Sequence, residues 1–177
     1  ENKARLIKEF GGGCCKCGYN KCYRALCFYH KDPNKKSFNL DSKALHGYKW
    51  EKIYREALKC ELVCMNCIAI TKHYIFNKGK YSDMRVTRIK KSLIAQRGSG
   101  CQHCGLKVGE PCIYHFHHID ESKKSFTLNQ RELGTRGILE IKREFNKCLL
   151  LCANCHMELH EKQKSDEKLL DELDVIE

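Results

Sequence analysis

The chain repeats itself, and the repeat is built around paired cysteines. KCELVCMNC at 59–67 faces KCLLLCANC at 147–155, with 6 of 9 residues identical at an offset of 88. FYHKDPNKKSFNL at 28–40 faces FHHIDESKKSFTL at 116–128, with 8 of 13 identical at the same offset. LIKEFGGGC at 6–14 faces LIAQRGSGC at 93–101, one residue out of step. Self-similarity at one fixed period means one structural unit used twice. The chain has 177 residues, enough to bury a core as one domain or as two small ones.

Each copy reads in the same order. A short helix (4–10; 85–96) is broken by a Gly-rich turn and followed by a C-x-x-C knuckle. A strand leads into the His segment, and an amphipathic helix comes next. Trp50, Ile53, Ala57 and Leu58 recur at helical spacing in copy one, as do Ile138, Ile141 and Phe145 in copy two. A short apolar strand, the second C-x-x-C and a final helix close the unit. The expected division is a first zinc unit over 1–76, a basic linker or helix over 77–92, a second unit over 93–163 and an acidic C-terminal helix over 164–177.

The cysteines are the strongest chemical signal. Copy one offers Cys14, Cys17, Cys64 and Cys67; copy two offers Cys101, Cys104, Cys152 and Cys155. A C-x-x-C places two sulfurs on one tight turn, and two such turns make a tetrahedral four-thiolate site suited to Zn²⁺. The gap between knuckles is 46 residues in copy one and 47 in copy two. With all four positions filled by protein, no ligand place is left for a substrate, which marks structural zinc. Cys15 competes with Cys14 as a ligand. Cys60 and Cys148 match each other and read as core packing. Cys22, Cys27 and Cys112 have no matching pair. Eight of the 14 Cys fall into C-x-x-C pairs, there is no apolar signal segment, and apolar runs are too short to span a membrane. A reducing, intracellular, cytoplasmic setting is the expectation.

Charge narrows the partner. The chain carries +11, and 165–177 holds six acids against Lys168, a net −5, which leaves +16 on the rest. A body that basic suggests a polyanion, nucleic acid first. Within 77–97, Lys78, Lys80, Arg85, Arg88, Lys90, Lys91 and Arg97 stand against Asp83 alone. That stretch is either a phosphate-contacting face or a solvated helix. The matched Lys35, Lys36, Lys123 and Lys124 either bind phosphate or solvate a turn. In the tail, Leu169, Leu170, Leu173 and Ile176 are spaced for a contact between chains or for packing on the chain's own body.

Histidine separates the copies. Copy two has His117, His118, His156 and His160, and the last two share a helix face. Copy one has Tyr29, Ile68 and Lys72 in place of His117, His156 and His160, and retains His30 for His118. His46, His73, His103 and His115 read as surface or core residues. Adjacent strand residues point to opposite faces. His117 and His118 can therefore serve one phosphate only if the strand is irregular there.

These residues carry a resemblance. Copy two resembles an HNH endonuclease unit, the ββα-metal nuclease fold in its zinc-ribbon form. The matching pieces are C-x-x-C at 101–104, FHHID at 116–120, KKSF at 123–126 and KCLLLCANCHMELH at 147–160. The implied fold is α+β, two tandem ββα-metal units with two structural Zn²⁺, the first unit degenerate. By that resemblance His118 is the general base and Asp120 orients it. His117, His156 and His160 hold one divalent cation, Mg²⁺, Mn²⁺ or another. Asn154 or Asn146 is the middle letter of the family name. Many relatives carry an Asn five residues before the third Cys, where this chain has Lys147. The implied activity is hydrolysis of double-stranded DNA to a 5′ phosphate and a 3′ hydroxyl, by a restriction or defence enzyme, a homing enzyme or a phage nuclease. One site cuts one strand, so a duplex break calls for a homodimer. The rival class is a zinc-dependent nucleic-acid-binding protein without catalysis.

Overall fold

In a computed structural model the backbone is described for residues 2–76 and 84–174, and side chains for the same residues except 73–76, 84 and 164–174. The fold is mixed α+β, with two separate antiparallel two-stranded sheets and eight α-helices among the described residues. No helix among them is long and apolar enough to cross a membrane.

Two compact units divide the chain. Unit 1 is Glu1–Ile68 with Met157–Glu177, and unit 2 is Ala69–His156. The divisions fall inside helices rather than at the expected linker. Helix α1 (Asn2–Glu9), strand β1 (Leu26–His30), helices α2 (Ser42–Gly47) and α3 (Trp50–Ala57), strand β2 (Cys60–Cys64) and helix α4 (Met65–Phe76) make the first copy. The second repeats them as α5 (Met84–Gln96), β3 (Tyr114–His118), α6 (Gln130–Thr135), α7 (Ile138–Phe145), β4 (Cys148–Cys152) and α8 (Ala153–Asp174).

Helix α5 opens copy two, and its Val86 and Leu93 are buried in that copy's core with Leu133, Ile141 and Phe145. Its arginine is also spent on the fold. Arg85 donates to the carbonyls of Leu133, Gly134 and Arg136 (the first at 3.2 Å, the last at 2.8 Å), where α6 leaves carbonyls without helical partners. Arg97 donates to the carbonyls of Phe145 and Cys148 at 3.3 and 3.2 Å. Two basic groups of the 77–97 stretch therefore hold backbone carbonyls. Lys78 and Lys80 lie outside the described residues.

The strand pairs keep regular register, Leu26 opposite Cys64 through His30 opposite Cys60, and Tyr114 opposite Cys152 through His118 opposite Cys148. In unit 1 one core cluster joins Ile7, Leu26, Leu62, Val63 and Ile68, and a second packs Leu6 and Leu45 against Ile53 and Ala57 of α3. Short helices α2 and α6, absent from the sequence reading, start on side-chain caps. Asp41 accepts from the Ala44 N–H and Asn129 from the Glu132 N–H, both at 3.0 Å. The acidic tail is the continuation of α8 to Asp174. Of its apolar positions, Leu169, Leu170 and Leu173 lie where only backbone is described and Ile176 lies outside the described residues.

Candidate metal centres

The knuckles form because each C-x-x-C ends on a glycine with a left-handed backbone. Gly18 (φ 74°) and Gly105 (φ 73°) turn the chain so that their N–H groups reach the carbonyls of Cys14 and Cys101, each at 2.8 Å. The second pair of each set straddles a strand end and the helix that follows. The result is two groups, Cys14, Cys17, Cys64, Cys67 and Cys101, Cys104, Cys152, Cys155, whose sulfurs lie within 4.8 Å of one another. Cys15 is exposed and outside the group, which settles its competition with Cys14.

The donor spacing fits zinc and not a disulfide. Cys17 and Cys64 sulfurs are 3.6 Å apart, and those of Cys104 and Cys152 are 4.0 Å apart. A tetrahedron with Zn–S near 2.3 Å has an edge of about 3.8 Å, whereas a disulfide needs about 2.05 Å. All of these thiols are free. Burial opposes ionisation of Cys14, but backbone hydrogen bonds from Cys64, Lys16 and Cys17 outweigh it, and its pKa falls to about 7. Cys101 is lowered in the same way, while burial and neighbouring thiols push Cys67 and Cys155 upward. A dication resolves that crowding, since it binds thiolates and releases the protons. Cys60 and Cys148, at the strand starts, are buried with pKa values pushed to about 12 and about 11 by burial, as expected of packing cysteines.

A third group of possible ligands is imidazole. His117, on β3, and His156 and His160, one turn apart on α8, offer nitrogens within 4.8 Å of one another. His117 is buried and the other two are half-buried. His117 and His156 rings meet edge to face with centroids 5.2 Å apart.

His118 does not join them. The strand is regular, so alternate residues take alternate faces. Phe116 packs on Phe145 of α7 (centroids 5.6 Å apart), and His118 turns the same way. Its Nε2 lies 2.8 Å from Glu144 Oε1. The face of His117 is shared instead by His115, whose Nδ1 lies 3.3 Å from the Nδ1 of His156. Burial and then the nearby Lys90 charge bring the His115 pKa down to about 4. Sequence reading placed His115 among surface or core residues. Two-residue alternation from His117 is the signal that finds it.

Glu144 was also missed, and it is the hub of the other face. One oxygen accepts from His118 and from the N–H groups of Ser125 and Phe126, and the other from Lys147 Nζ at 2.7 Å. Copy one repeats this atom for atom. Glu56 accepts from His30 at 2.8 Å, from Ser37 and Phe38 N–H groups, and from Lys59 at 2.6 Å. Burial raises both carboxyl pKa values, but the lysine and the other donors outweigh it and hold both at about 2. The identical Glu at an offset of 88 was the available signal. The carboxylate accepts from Nε2, which leaves the lone pair of a neutral His118 on Nδ1. Among the described residues, Arg97 Nε is the one buried side-chain polar atom without a partner. The Nδ1 of His118 is therefore not a sealed, unpaired atom.

Asp120 does not orient His118. Its carboxylate caps the turn that follows β3, accepting from Ser122 N–H at 3.0 Å and Ser122 Oγ at 2.6 Å and facing Lys123 Nζ at 3.1 Å. Asp32 caps the matching turn of copy one. Asn154 is buried in the first turn of α8, as Asn66 is in α4, and so belongs to the shared scaffold; Asn146 ends α7. Lys35, Lys36, Lys123 and Lys124 stand exposed on the matched turns, and Lys91 is exposed on α5. His46 and His103 are exposed, and the side chain of His73 lies outside the described residues.

At the candidate ligand positions copy one has Tyr29, Ile68 and Lys72, with Cys27 in place of His115. The scaffold survives in both copies and the imidazoles in one. Comparisons of the chain with protein-family models, with curated proteins and with solved structures find no match.

Proposed function

We propose that the chain is a divalent-metal-dependent DNA endonuclease of HNH type, with copy two the cutting unit and copy one a zinc scaffold that lacks the reaction centre. One observation carries this reading. Three imidazoles converge beside a four-thiolate cluster in copy two, and all three are replaced in copy one while the cluster is kept. Structural zinc alone needs no such difference.

His117, His156 and His160 would hold the cation. Bound there, it would supply Lewis-acid stabilisation of the charge developing on the phosphate and the leaving oxygen. In this reading His118 accepts a proton from water at Nδ1, and Glu144 holds its Nε2–H. The water oxygen attacks phosphorus, the bond to the 3′ oxygen breaks, and the products are a 5′ phosphate and a 3′ hydroxyl. Since the His118 ring leaves β3 opposite to His117, the scissile phosphate must lie across the end of that strand. The net charge of +11 supports a polyanionic substrate.

A second reading is favoured by the His30–Glu56 pair, which keeps the His118–Glu144 arrangement where Tyr29, Ile68 and Lys72 replace the three imidazoles. It makes the pair purely structural and the chain a zinc-dependent nucleic-acid-binding protein. Supercoiled plasmid incubated with Mg²⁺, Mn²⁺ or added Zn²⁺ separates the two. Wild type is expected to nick, and His156→Ala to lose nicking while still binding DNA. Equal nicking by both proteins would overturn the endonuclease reading. With one site per chain, nicked circles precede linear product.

A further inference from the structure

A cavity of about 710 Å³ opens inside unit 2 between α5, the turn before β3, the segment leading into α6, and His156. Its size falls in the range of small-molecule sites, roughly 300–1,000 Å³. Its walls have two characters. Val86, Pro111 and Leu128 are among its apolar lining residues, and Thr87 and Gln130 add hydrogen-bonding groups. Lys90 reaches in from α5 and is half-buried.

Lys90 is the informative residue. Burial draws it from water and the Cys112 thiol partly offsets this; its charge also acts on His115, and among the described residues no carboxylate is ion-paired with it, although Glu110 lines the same cavity. A lysine drawn from water without an anion beside it is costly, and a bound anion removes that cost. The cavity also includes His115 and His156, so it adjoins the candidate cation ligands.

The geometry points to a nucleotide pocket: the cavity takes one nucleotide of the substrate strand, its phosphate on Lys90 and its base between the apolar walls. A base has flat apolar faces and polar edges, which suit a lining that combines Val86, Pro111 and Leu128 with the hydrogen-bonding Thr87 and Gln130. A bare phosphate would leave those walls unused. The inference rests on the endonuclease reading for the identity of the strand, but it concerns a binding step that needs no cleavage.

The test is calorimetric titration of the full, zinc-loaded chain, without added Mg²⁺ or Mn²⁺, with the four deoxynucleoside 5′-monophosphates, 2-deoxyribose 5-phosphate and inorganic phosphate. Mononucleotides are expected to bind at least tenfold more tightly than the two base-free probes. Lys90→Gln is expected to weaken mononucleotides at least tenfold, and Thr87→Trp, which puts a large ring on a lining position, to do the same. Zinc content and melting temperature show whether each variant is folded. Equal affinity for inorganic phosphate would reduce the site to a plain anion site and overturn the proposal. So would saturable binding unchanged in both folded variants, or no saturable binding at millimolar probe. Plasmid nicking by a chain that binds no mononucleotide sinks the pocket alone; mononucleotide binding by a chain that never nicks sinks the endonuclease reading alone.

Discussion

Copy one and copy two are the same scaffold with different contents. Both close four thiols around one point. Both bury a glutamate beneath the strand and tie it to a histidine, a lysine and two backbone N–H groups. They part on the opposite strand face, where copy two has His115 and His117 and copy one has Cys27 and Tyr29. The lesson is that one β-strand carries two independent duties. The face toward α3 or α7 holds the unit together and keeps its Phe and His in both copies, with Leu26 answered by Tyr114. The face toward the second knuckle's helix is where the copies have diverged.

The comparison breaks most violently at the cysteines. Cys152→Ser and Cys64→Ser are each expected to remove one of two bound zinc ions and to unfold their own unit, because structural zinc contributes apparent binding free energies of about 10–16 kcal/mol. Elemental analysis with a thermal melt reads this. Retention of two zinc ions by either variant contradicts the four-thiolate assignment.

The histidines sharpen it. His30 and His118 hold the same partner, so His30→Ala and His118→Ala are expected to lower the melting temperature by similar amounts. Only His118→Ala is expected to abolish nicking, by a factor of about 10² or more if it is the general base. If nicking falls in proportion to stability in both variants, His118 is structural and no more.

The glutamates come next. Glu56 and Glu144 are 2% and 1% exposed, and truncating one partner of a buried ionic pair costs roughly 3–5 kcal/mol. Glu144→Ala and Glu56→Ala are expected to destabilise alike by that order. Both carboxyls titrate at about 2 in the folded protein, below the unfolded value near 4.3. The folded state therefore binds fewer protons, and the stabilisation is full above about pH 4.5 and is lost as pH falls toward 2. Acid titration followed by circular dichroism should show wild type losing stability across that window, and Glu144→Ala losing less of it. Parallel acid profiles would show that Glu144 is not the titrating group.

The smallest effect is expected at Asp120. Its carboxylate is bonded within an exposed turn, and Asp32 does the same work in copy one. Asp120→Asn is expected to leave both the melting temperature and nicking unchanged. Loss of nicking with the fold intact would restore Asp120 to the reaction.

Much of this was readable in the residues, for a local reason. C-x-x-C and H-x-x-x-H are short-range patterns, and the turn or helix that carries them brings the ligands together whatever the rest of the fold does. The repeat then assigned Cys14, Cys17, Cys64 and Cys67 to one site and Cys101, Cys104, Cys152 and Cys155 to the other, and helical periodicity located α3 and α7. The tertiary structure alone decided which groups face one another across elements. Strand register sends His118 to Glu144 and brings His115 to His156, a choice that depends on where α7 and α8 pack and not on spacing along the chain. Arg85 and Arg97 count as positive charge in a sequence, yet packing brings their guanidinium groups to backbone carbonyls 48 to 51 residues away. The cavity beside Lys90 exists only because α5, β3 and the approach to α6 meet around it.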